Sequence, residues 1–109
     1  MTTSKKEKER EKRLYKTYGM TLGGFNSRLD MQGGGCWICE RKDGRLCVDH
    51  RHIPKYKQLP PDKKLQECRG ILCFMCNTML HGVEKRKNAR YFLKRMNEYF
   101  DEYKMKGDE

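Results

Sequence analysis

Apolar residues in this chain form short groups separated by polar runs, and the spacing within each group indicates an element. Leu22, Phe25 and Leu29 recur at intervals of three and four residues, which is typical of one buried helix face. Thr21 before them is a suitable N-cap. Gln32 and the glycines at 33–35 interrupt the pattern. We therefore predict a short helix that starts after Thr21 and ends near Gln32.

A second periodic group lies near the end of the chain. Asn88 can cap a helix that continues to about Lys104. Four apolar residues fall on one face of this helix: Phe92, Met96, Tyr99 and Tyr103. Such a stripe usually packs inside its own chain, but in a short chain it can equally pack against a second subunit.

The centre of the chain has the pattern of a small ribbon. Residues 42–45 contain Asp-Gly, a turn sequence, and residues 46–48 are a short apolar run that predicts a strand. Asp49 and His50 then lie at the end of this strand. Three prolines make 53–62 a loop or an irregular crossing rather than a strand or a long helix.

Residues 70–72 lead from this loop towards a further helix. That helix is predicted to begin near Cys76, to pass Leu80 and to end near Gly82, because glycine often follows the last helical residue.

The first eighteen residues are almost entirely charged or polar. Ser4 with Glu7 matches a capping box, and Glu9 with Arg13 can form an i,i+4 pair, so a helix is predicted. No apolar stripe precedes Leu14, and the segment cannot bury itself. It is either an arm that contacts DNA or a second subunit, or a frayed terminus.

Two cysteine pairs, each with the spacing CxxC, predict a metal site. One short turn of this kind presents two thiolates to an ion, and two turns complete a tetrahedral S₄ set typical of structural zinc. The alternatives are a disulfide framework or a redox CxxC. The proposed zinc ligands are Cys36, Cys39, Cys73 and Cys76.

Composition and charge narrow the class of protein. The 109 residues are 36% hydrophobic and 37% charged, so the core is thin and a metal staple is expected. The formal net charge of +10 favours a polyanionic partner, although a solvated basic surface is the plain alternative. No signal peptide and no membrane span are evident, which predicts a cytoplasmic protein with reduced thiols.

A closed S₄ site leaves no position for catalysis, and the remaining candidates are Asp49, His50 and Asn77. Hydrolysis of a phosphodiester needs an activated water, a cation for the phosphate charge, and alignment. Histidine suits the first task because its pKa lies near neutrality. A carboxylate and an amide oxygen suit the second, because they are hard ligands for a divalent ion.

At these residues the chain resembles the recombination endonuclease VII family of phages, within the HNH, or ββα-metal, nucleases. The matching motifs run in order from about Tyr18 to Leu80: Tyr18-Gly19-Met20-Thr21-Leu22, Cys36-x-x-Cys39, Val48-Asp49-His50-Arg51-His52, Arg69-Gly70-Ile71-Leu72-Cys73 and Cys76-Asn77. The resemblance implies that the four cysteines hold zinc, that Asp49 and Asn77 bind a catalytic Mg²⁺ or Mn²⁺, and that His50 is the general base. It also implies a homodimer that cuts branched DNA such as Holliday junctions, leaving 5′-phosphate and 3′-hydroxyl ends.

Three features depart from the family pattern. Arg51 stands where the family often has an acidic residue, Leu80 replaces a helical acidic residue, and the stretch 53–67 is longer and rich in lysine and proline. These departures concern the details of the catalytic metal site. The chain also has room for only one helix after this region and not for a large C-terminal dimerisation domain.

Further residues have candidate roles. His52 could touch the phosphate or orient the base, or it could be an ordinary surface histidine. His81 follows Asn77 by four residues and could be a further metal ligand, or it could interact with the last carbonyls of its helix. A solvated basic loop is the alternative to DNA contacts by Arg51, Lys55, Lys57, Lys63, Lys64 and Arg69.

The sequence thus predicts an α+β fold, a small zinc-stapled ββα-metal domain with flanking N- and C-terminal helices. Its parts would be a charged arm at 1–18, the nuclease domain at 19–87 and an amphipathic helix and tail at 88–109. The predicted function is a metal-dependent DNA endonuclease acting on branched DNA in the cytoplasm of a host cell. The alternatives are an HNH nicking or homing-type nuclease on duplex DNA, and a zinc-ribbon DNA-binding protein without catalysis.

Overall fold

A computed structural model describes residues 4–103 and contains helices and one two-stranded sheet. The elements in chain order are α1 (Lys5–Tyr18), α2 (Leu22–Met31), β1 (Leu46–His50), a 3₁₀ turn (Tyr56–Gln58), α3 (Pro61–Gln66), β2 (Cys68–Cys73), α4 (Phe74–Glu84) and α5 (Ala89–Tyr103). The succession β1, β2, α4 is the predicted ββα arrangement, and the α+β class is confirmed. The chain divides into two compact units, one ending at Cys76 and one beginning at Asn77.

Helix α1 is defined at both ends by local hydrogen bonds. The Ser4 hydroxyl accepts from the backbone N–H of Glu7 at 3.1 Å, as the capping box predicts. At the other end Gly19 has φ 69°, and its N–H donates to the Tyr15 carbonyl at 2.8 Å. This left-handed residue ends the helix and turns the chain towards α2.

Helix α2 begins after Thr21, whose side-chain oxygen accepts from the N–H of Gly24 at 3.0 Å. It ends at Met31, and Gln32 is its C-cap. Both boundaries agree with the sequence prediction. Phe25, in the middle of the predicted apolar face, is buried.

The two strands are antiparallel and their register shifts at one point. Val48 pairs with Ile71, and His50 pairs with Cys68. Asp49 therefore lies opposite two residues of β2, Arg69 and Gly70, which is the geometry of a β-bulge. A bulge redirects the side chains beside it, and this one lies next to both predicted catalytic residues of β1.

The hydrophobic core joins α1, α2 and the sheet. Its buried members are Leu14, Met20, Phe25, Val48 and Ile71. Leu14 of the charged N-terminal segment is thus a core residue, whereas residues 5–13 are exposed. The division of function among segments 1–18, 19–87 and 88–109 stays a prediction.

Three boundaries differ from the sequence prediction. The region 53–62 is not entirely irregular, because it contains the 3₁₀ turn and the start of α3. Pro61 is the first residue of α3. The backbone N–H at this position has no partner within the helix, so a proline there costs no hydrogen bond. Helix α4 begins at Phe74 and passes Gly82 to end at Glu84, since one glycine does not stop a helix. Helix α5 follows Asn88 as predicted, and its predicted end near Lys104 lies outside the described residues.

Candidate functional site

The four predicted zinc ligands come together in the first unit. The Sγ atoms of Cys36, Cys39, Cys73 and Cys76 all lie within 4.8 Å of one another. Cys39 Sγ and Cys73 Sγ are 3.7 Å apart. Tetrahedral zinc with Zn–S bonds of about 2.3 Å separates its sulfurs by about 3.8 Å. The cluster therefore fits a structural metal such as zinc, and no disulfide joins any of the six cysteines.

Backbone bonds shape the first cysteine turn. The N–H of Cys36 donates to the Arg41 carbonyl at 2.9 Å, and the N–H of Glu40 donates to the Cys36 carbonyl at 2.9 Å. Gly35 has no room for a side chain, because a Cβ there would lie 2.6 Å from the Glu40 carbonyl oxygen. Glu40 itself has a left-handed φ of 68°. The tight loop brings both thiols of this pair to the same side.

The Gln32 side chain ties this turn to the sheet. Its Nε2 donates to the carbonyls of Gly35 and Ile71, both at 2.7 Å. Its Oε1 accepts from the N–H of Ile71 at 3.0 Å. The amide thus pairs with β2 as a strand residue would, and it holds the first cysteine turn beside the second. Sequence reasoning treated Gln32 only as a helix end, because nothing local in the sequence signals these partners.

The four ligand thiols lie close together, and the pKa values of Cys36 and Cys76 shift in opposite directions. Burial opposes ionisation of Cys36, but nearby backbone N–H donors outweigh it and lower the pKa of this thiol to about 6. Burial, followed by hydrogen bonds with the other thiols, raises the pKa of Cys76 to about 12. Four adjacent thiolates repel one another, and a bound divalent cation is what allows all of them to ionise.

Asp49 is a buried charged residue of the first unit. It is 3% exposed, and the bulge places it against Arg69 of β2. Arg69 Nε donates to Asp49 Oδ2 at 2.7 Å and Arg69 Nη2 donates to Oδ1 at 3.0 Å. This two-bond pair satisfies a carboxylate that would be costly to bury alone. Sequence reasoning assigned Arg69 to the DNA backbone and did not find this pair.

His50 follows Asp49 and has a defined ring orientation. Its Nδ1 lies 2.9 Å from the Arg51 carbonyl oxygen. A carbonyl can only accept, so Nδ1 carries the proton and Nε2 of the neutral ring keeps its lone pair. The imidazole is stacked on Tyr56, with ring centroids 4.0 Å apart and an interplanar angle of 8°. His52 meets the same ring edge-on at 4.9 Å.

A basic groove of about 830 Å³ opens beside His50. His50, His52 and four lysines, which are Lys16, Lys55, Lys57 and Lys64, contribute to its lining. Lys64 also donates from Nζ to the Lys16 carbonyl at 2.8 Å. Several predicted DNA contacts therefore share one surface with the predicted base.

Two other predicted DNA contacts have different positions. Lys63 is exposed on α3 and is not among the residues that line this groove. Arg51 forms an ion pair with Glu67 at 3.0 Å. Their role in DNA binding stays a prediction.

Asn77 and His81 belong to the second unit, where both lie on α4. They are four residues apart and so share one helix face, as predicted. Within residues 4–103, the Asn77 side-chain oxygen Oδ1 is buried and accepts no hydrogen bond. An orphaned acceptor of this kind suits a cation, because burial without any partner would be unfavourable.

None of the helices within residues 4–103 combines the length and apolar composition that crossing a bilayer requires.

Comparisons with known proteins agree with the motifs. The chain is 39% identical over 75 residues to the Gene 59 protein of Mycobacterium phage D29, which covers 66% of this chain and 39% of that protein. It is 37% identical over 92 residues to the Gene 59 protein of Mycobacterium phage L5, covering 82% of this chain and 48% of that protein. The chain thus spans less than half the length of either relative. No solved structure matches it.

The family model for recombination endonuclease VII matches residues 11–102, which include both cysteine turns, the bulged ribbon and α4. This match covers most of the chain, and by it the chain belongs to the recombination endonuclease VII family.

Proposed function

We propose that this protein is a metal-dependent DNA endonuclease that hydrolyses phosphodiesters in branched DNA, such as Holliday junctions. Family membership supports a nuclease, and the products would be 5′-phosphate and 3′-hydroxyl ends. The cysteine cluster takes no part in the reaction in this proposal. Its four sulfurs use all positions of a tetrahedral ion, so that ion holds the fold together.

The observation that carries the proposal is the orientation of His50. Its Nδ1 bond to the Arg51 carbonyl assigns the proton to Nδ1, and Nε2 is then the atom that can accept a proton from water. The ring borders a groove rich in lysine, where a phosphodiester would be attracted. In the proposed reaction, Nε2 removes the water proton as the oxygen attacks phosphorus and the 3′ oxygen departs.

Asp49 and Asn77 are the proposed protein ligands of the catalytic divalent ion, by their place in the family motifs. The orphaned Oδ1 of Asn77 fits this role. Asp49 fits it by chemistry, because a carboxylate oxygen is the hard ligand that such an ion prefers. When bound, Mg²⁺ or Mn²⁺ would stabilise charge on the phosphate and leaving oxygen. His81 is a further candidate ligand because it shares a helix face with Asn77.

Two strands of a junction require two cuts, which supports a homodimer with one centre per subunit. Helix α5 supports the same idea in the second unit. It has no buried residue among those described, and several of its apolar side chains are exposed: Tyr91, Leu93, Met96, Tyr99 and Tyr103. The expected location is the host cytoplasm, where phage recombination takes place.

The test compares a four-way junction with a linear duplex of the same sequence, each with and without Mg²⁺ or Mn²⁺. Wild type should cut the junction only with the divalent ion. His50→Ala should lose cleavage while zinc content and junction binding remain near wild type. Asp43→Ala, at an exposed position that does not line the groove, is the control and should cut normally.

The outcomes separate the alternatives. Equal cleavage of the linear duplex would favour a nicking or homing-type nuclease with the same chemistry. Binding without any cleavage, whatever the divalent ion, would favour a zinc-ribbon DNA-binding protein. Normal cleavage by His50→Ala would overturn the assigned base.

A further inference from the structure

We infer that Tyr56 is a positioning residue for His50, an inference that rests on the proposed function. The two rings are stacked almost parallel, with centroids 4.0 Å apart and an interplanar angle of 8°. Tyr56 is 8% exposed, so its ring is held in place by its surroundings. It comes from the 3₁₀ turn Tyr56–Gln58, outside every motif that identified the family.

The stacked Tyr56 ring restrains the orientation of the His50 ring, which the hydrogen bond of His50 does not fix completely. The bond from Nδ1 to the Arg51 carbonyl restrains one ring atom, but the imidazole can still tilt about that atom. The flat phenol ring of Tyr56 against one face of the imidazole restricts this tilt. A tilted imidazole would lose contact with the phenol on one side and clash with it on the other. His52 meets the imidazole edge-on with an interplanar angle of 82°. The direction of Nε2 is therefore set by its aromatic neighbours as well as by the backbone.

Tyr56 is itself anchored to a distant part of the chain. Its hydroxyl donates to the Thr17 carbonyl at 2.8 Å, in the last turn of α1. Carbonyls in the last turn of a helix have no donor within the helix, so the Tyr56 hydroxyl gives the Thr17 carbonyl a partner that the helix itself cannot supply. Burial raises the pKa of Tyr56 to about 12, and the hydroxyl stays a donor at neutral pH. Helix α1 thus supports the platform under His50.

A purely structural role would look different. The main core consists of Leu14, Met20, Phe25, Val48 and Ile71, and Tyr56 is not a member of it. Tyr56 instead contacts the face of His50 and lines the same basic groove. Its loss should therefore change the rate of the chemical step more than the affinity for DNA.

The experiment uses the full chain with zinc bound and measures single-turnover cleavage of a four-way junction in Mg²⁺. Tyr56→Leu should lower the rate at saturating enzyme about 10- to 100-fold, the size expected when a catalytic group is misplaced by about 1 Å. Its dissociation constant for the junction should stay within about twofold of wild type, since no phosphate contact is removed. Tyr56→Phe keeps the ring and should retain most of the rate.

Nitrogen-15 spectra of the histidines give an independent readout. In wild type and Tyr56→Phe, His50 should be held as the tautomer protonated on Nδ1. In Tyr56→Leu, a mixture of both tautomers is expected, because a ring without the stack can turn away from the Arg51 carbonyl and lose the Nδ1 bond that fixes the tautomer. Zinc content and circular dichroism show that each variant is folded, and Tyr56→Met repeats the test if Tyr56→Leu is not.

The inference is overturned if a folded Leu or Met variant keeps the wild-type rate and tautomer. It is also overturned if every non-aromatic variant unfolds, because the role is then structural. His50→Ala, measured in parallel, separates this result from the proposed function. An active His50→Ala contradicts the base assigned in the proposed function, whereas an inactive His50→Ala beside a fully active Tyr56→Leu contradicts only the positioning role.

Discussion

At the scale of single residues, the contact between α1 and α3 depends on Gly19, where there is no room for a side chain. Gly19 has a φ of 69°, and a Cβ there would lie 1.9 Å from the backbone oxygen of Pro61. The end of α1 and the start of α3 therefore approach each other through this glycine. The approach also brings Lys64 and Tyr56 to the carbonyls at the end of α1.

Gly19→Ala should lower the free energy of unfolding by about 3 kcal/mol or more. About 1 kcal/mol comes from the left-handed conformation, and the rest from the clash with Pro61, which overpacks the contact. Urea unfolding followed by circular dichroism measures the change. Gly23→Ala is the matched control, since its Cβ would meet only the Thr21 hydroxyl at 4.0 Å. That change should be neutral or stabilising by up to about 1 kcal/mol, and equal losses in both variants would contradict the steric explanation.

At the scale of elements, the cysteine cluster joins three segments of the chain. Cys36 and Cys39 follow α2, Cys73 ends β2, and Cys76 lies in the first turn of α4. The CxxC spacing predicted these four ligands, because two ligands within one turn are a local property of the sequence. The register of the two strands, with its bulge, was not predicted.

Zinc removal should unfold the protein. Structural zinc contributes roughly 10 kcal/mol or more to small domains, which is as large as their whole stability. Cys36→Ser or a strong chelator should therefore abolish the circular-dichroism signal. Cys47→Ser is the control, because Cys47 lies outside the cluster and should keep one zinc per chain.

The same site should be sensitive to acid. Every ligand thiol must lose its proton to bind, and the raised pKa of Cys76 means that the metal has to displace a proton there even at neutral pH. Zinc affinity should fall as the pH is lowered, which a colorimetric zinc-release titration would detect. A pH-independent affinity would contradict thiolate ligation.

At the scale of the whole molecule, the dominant property is a formal net charge of +10. Such an excess supplies attraction to any polyanion but no chemistry. Part of this positive charge lies in the groove beside His50, where lysines contribute to the lining. Binding to DNA and positioning of one phosphodiester are thus properties of a single surface in the proposed function.

Lys57→Ala should weaken junction binding and reduce the slope of log K against log salt by about 1, the loss of one phosphate contact. Fluorescence anisotropy across a salt series measures this in the His50→Ala background, where cleavage is expected to be lost. Lys42→Ala, an exposed lysine that does not line the groove, is the control. If both variants lower the slope equally, the attraction is general and the groove has no special part in it.

The sequence by itself determined what depends on neighbours along the chain. The cysteine spacing predicted the zinc ligands. The capping box at Ser4 and the pair of Glu9 with Arg13 predicted α1, and the Thr21 cap with its apolar periodicity predicted α2. The short run before Asp49 predicted β1. These signals succeed because helix caps, turn residues and paired ligands act within a few residues, so local chemistry suffices to recognise them.

Tertiary structure alone decided the contacts between distant segments. The bulge turns Arg69 onto Asp49, Gln32 pairs with Ile71, and Tyr56 lies on His50 while donating to Thr17. Each contact depends on strand register and on how α1 packs beside the loop, and a shift of one residue would remove it. Such contacts arise from the packing of the whole core, which no local pattern of residues encodes.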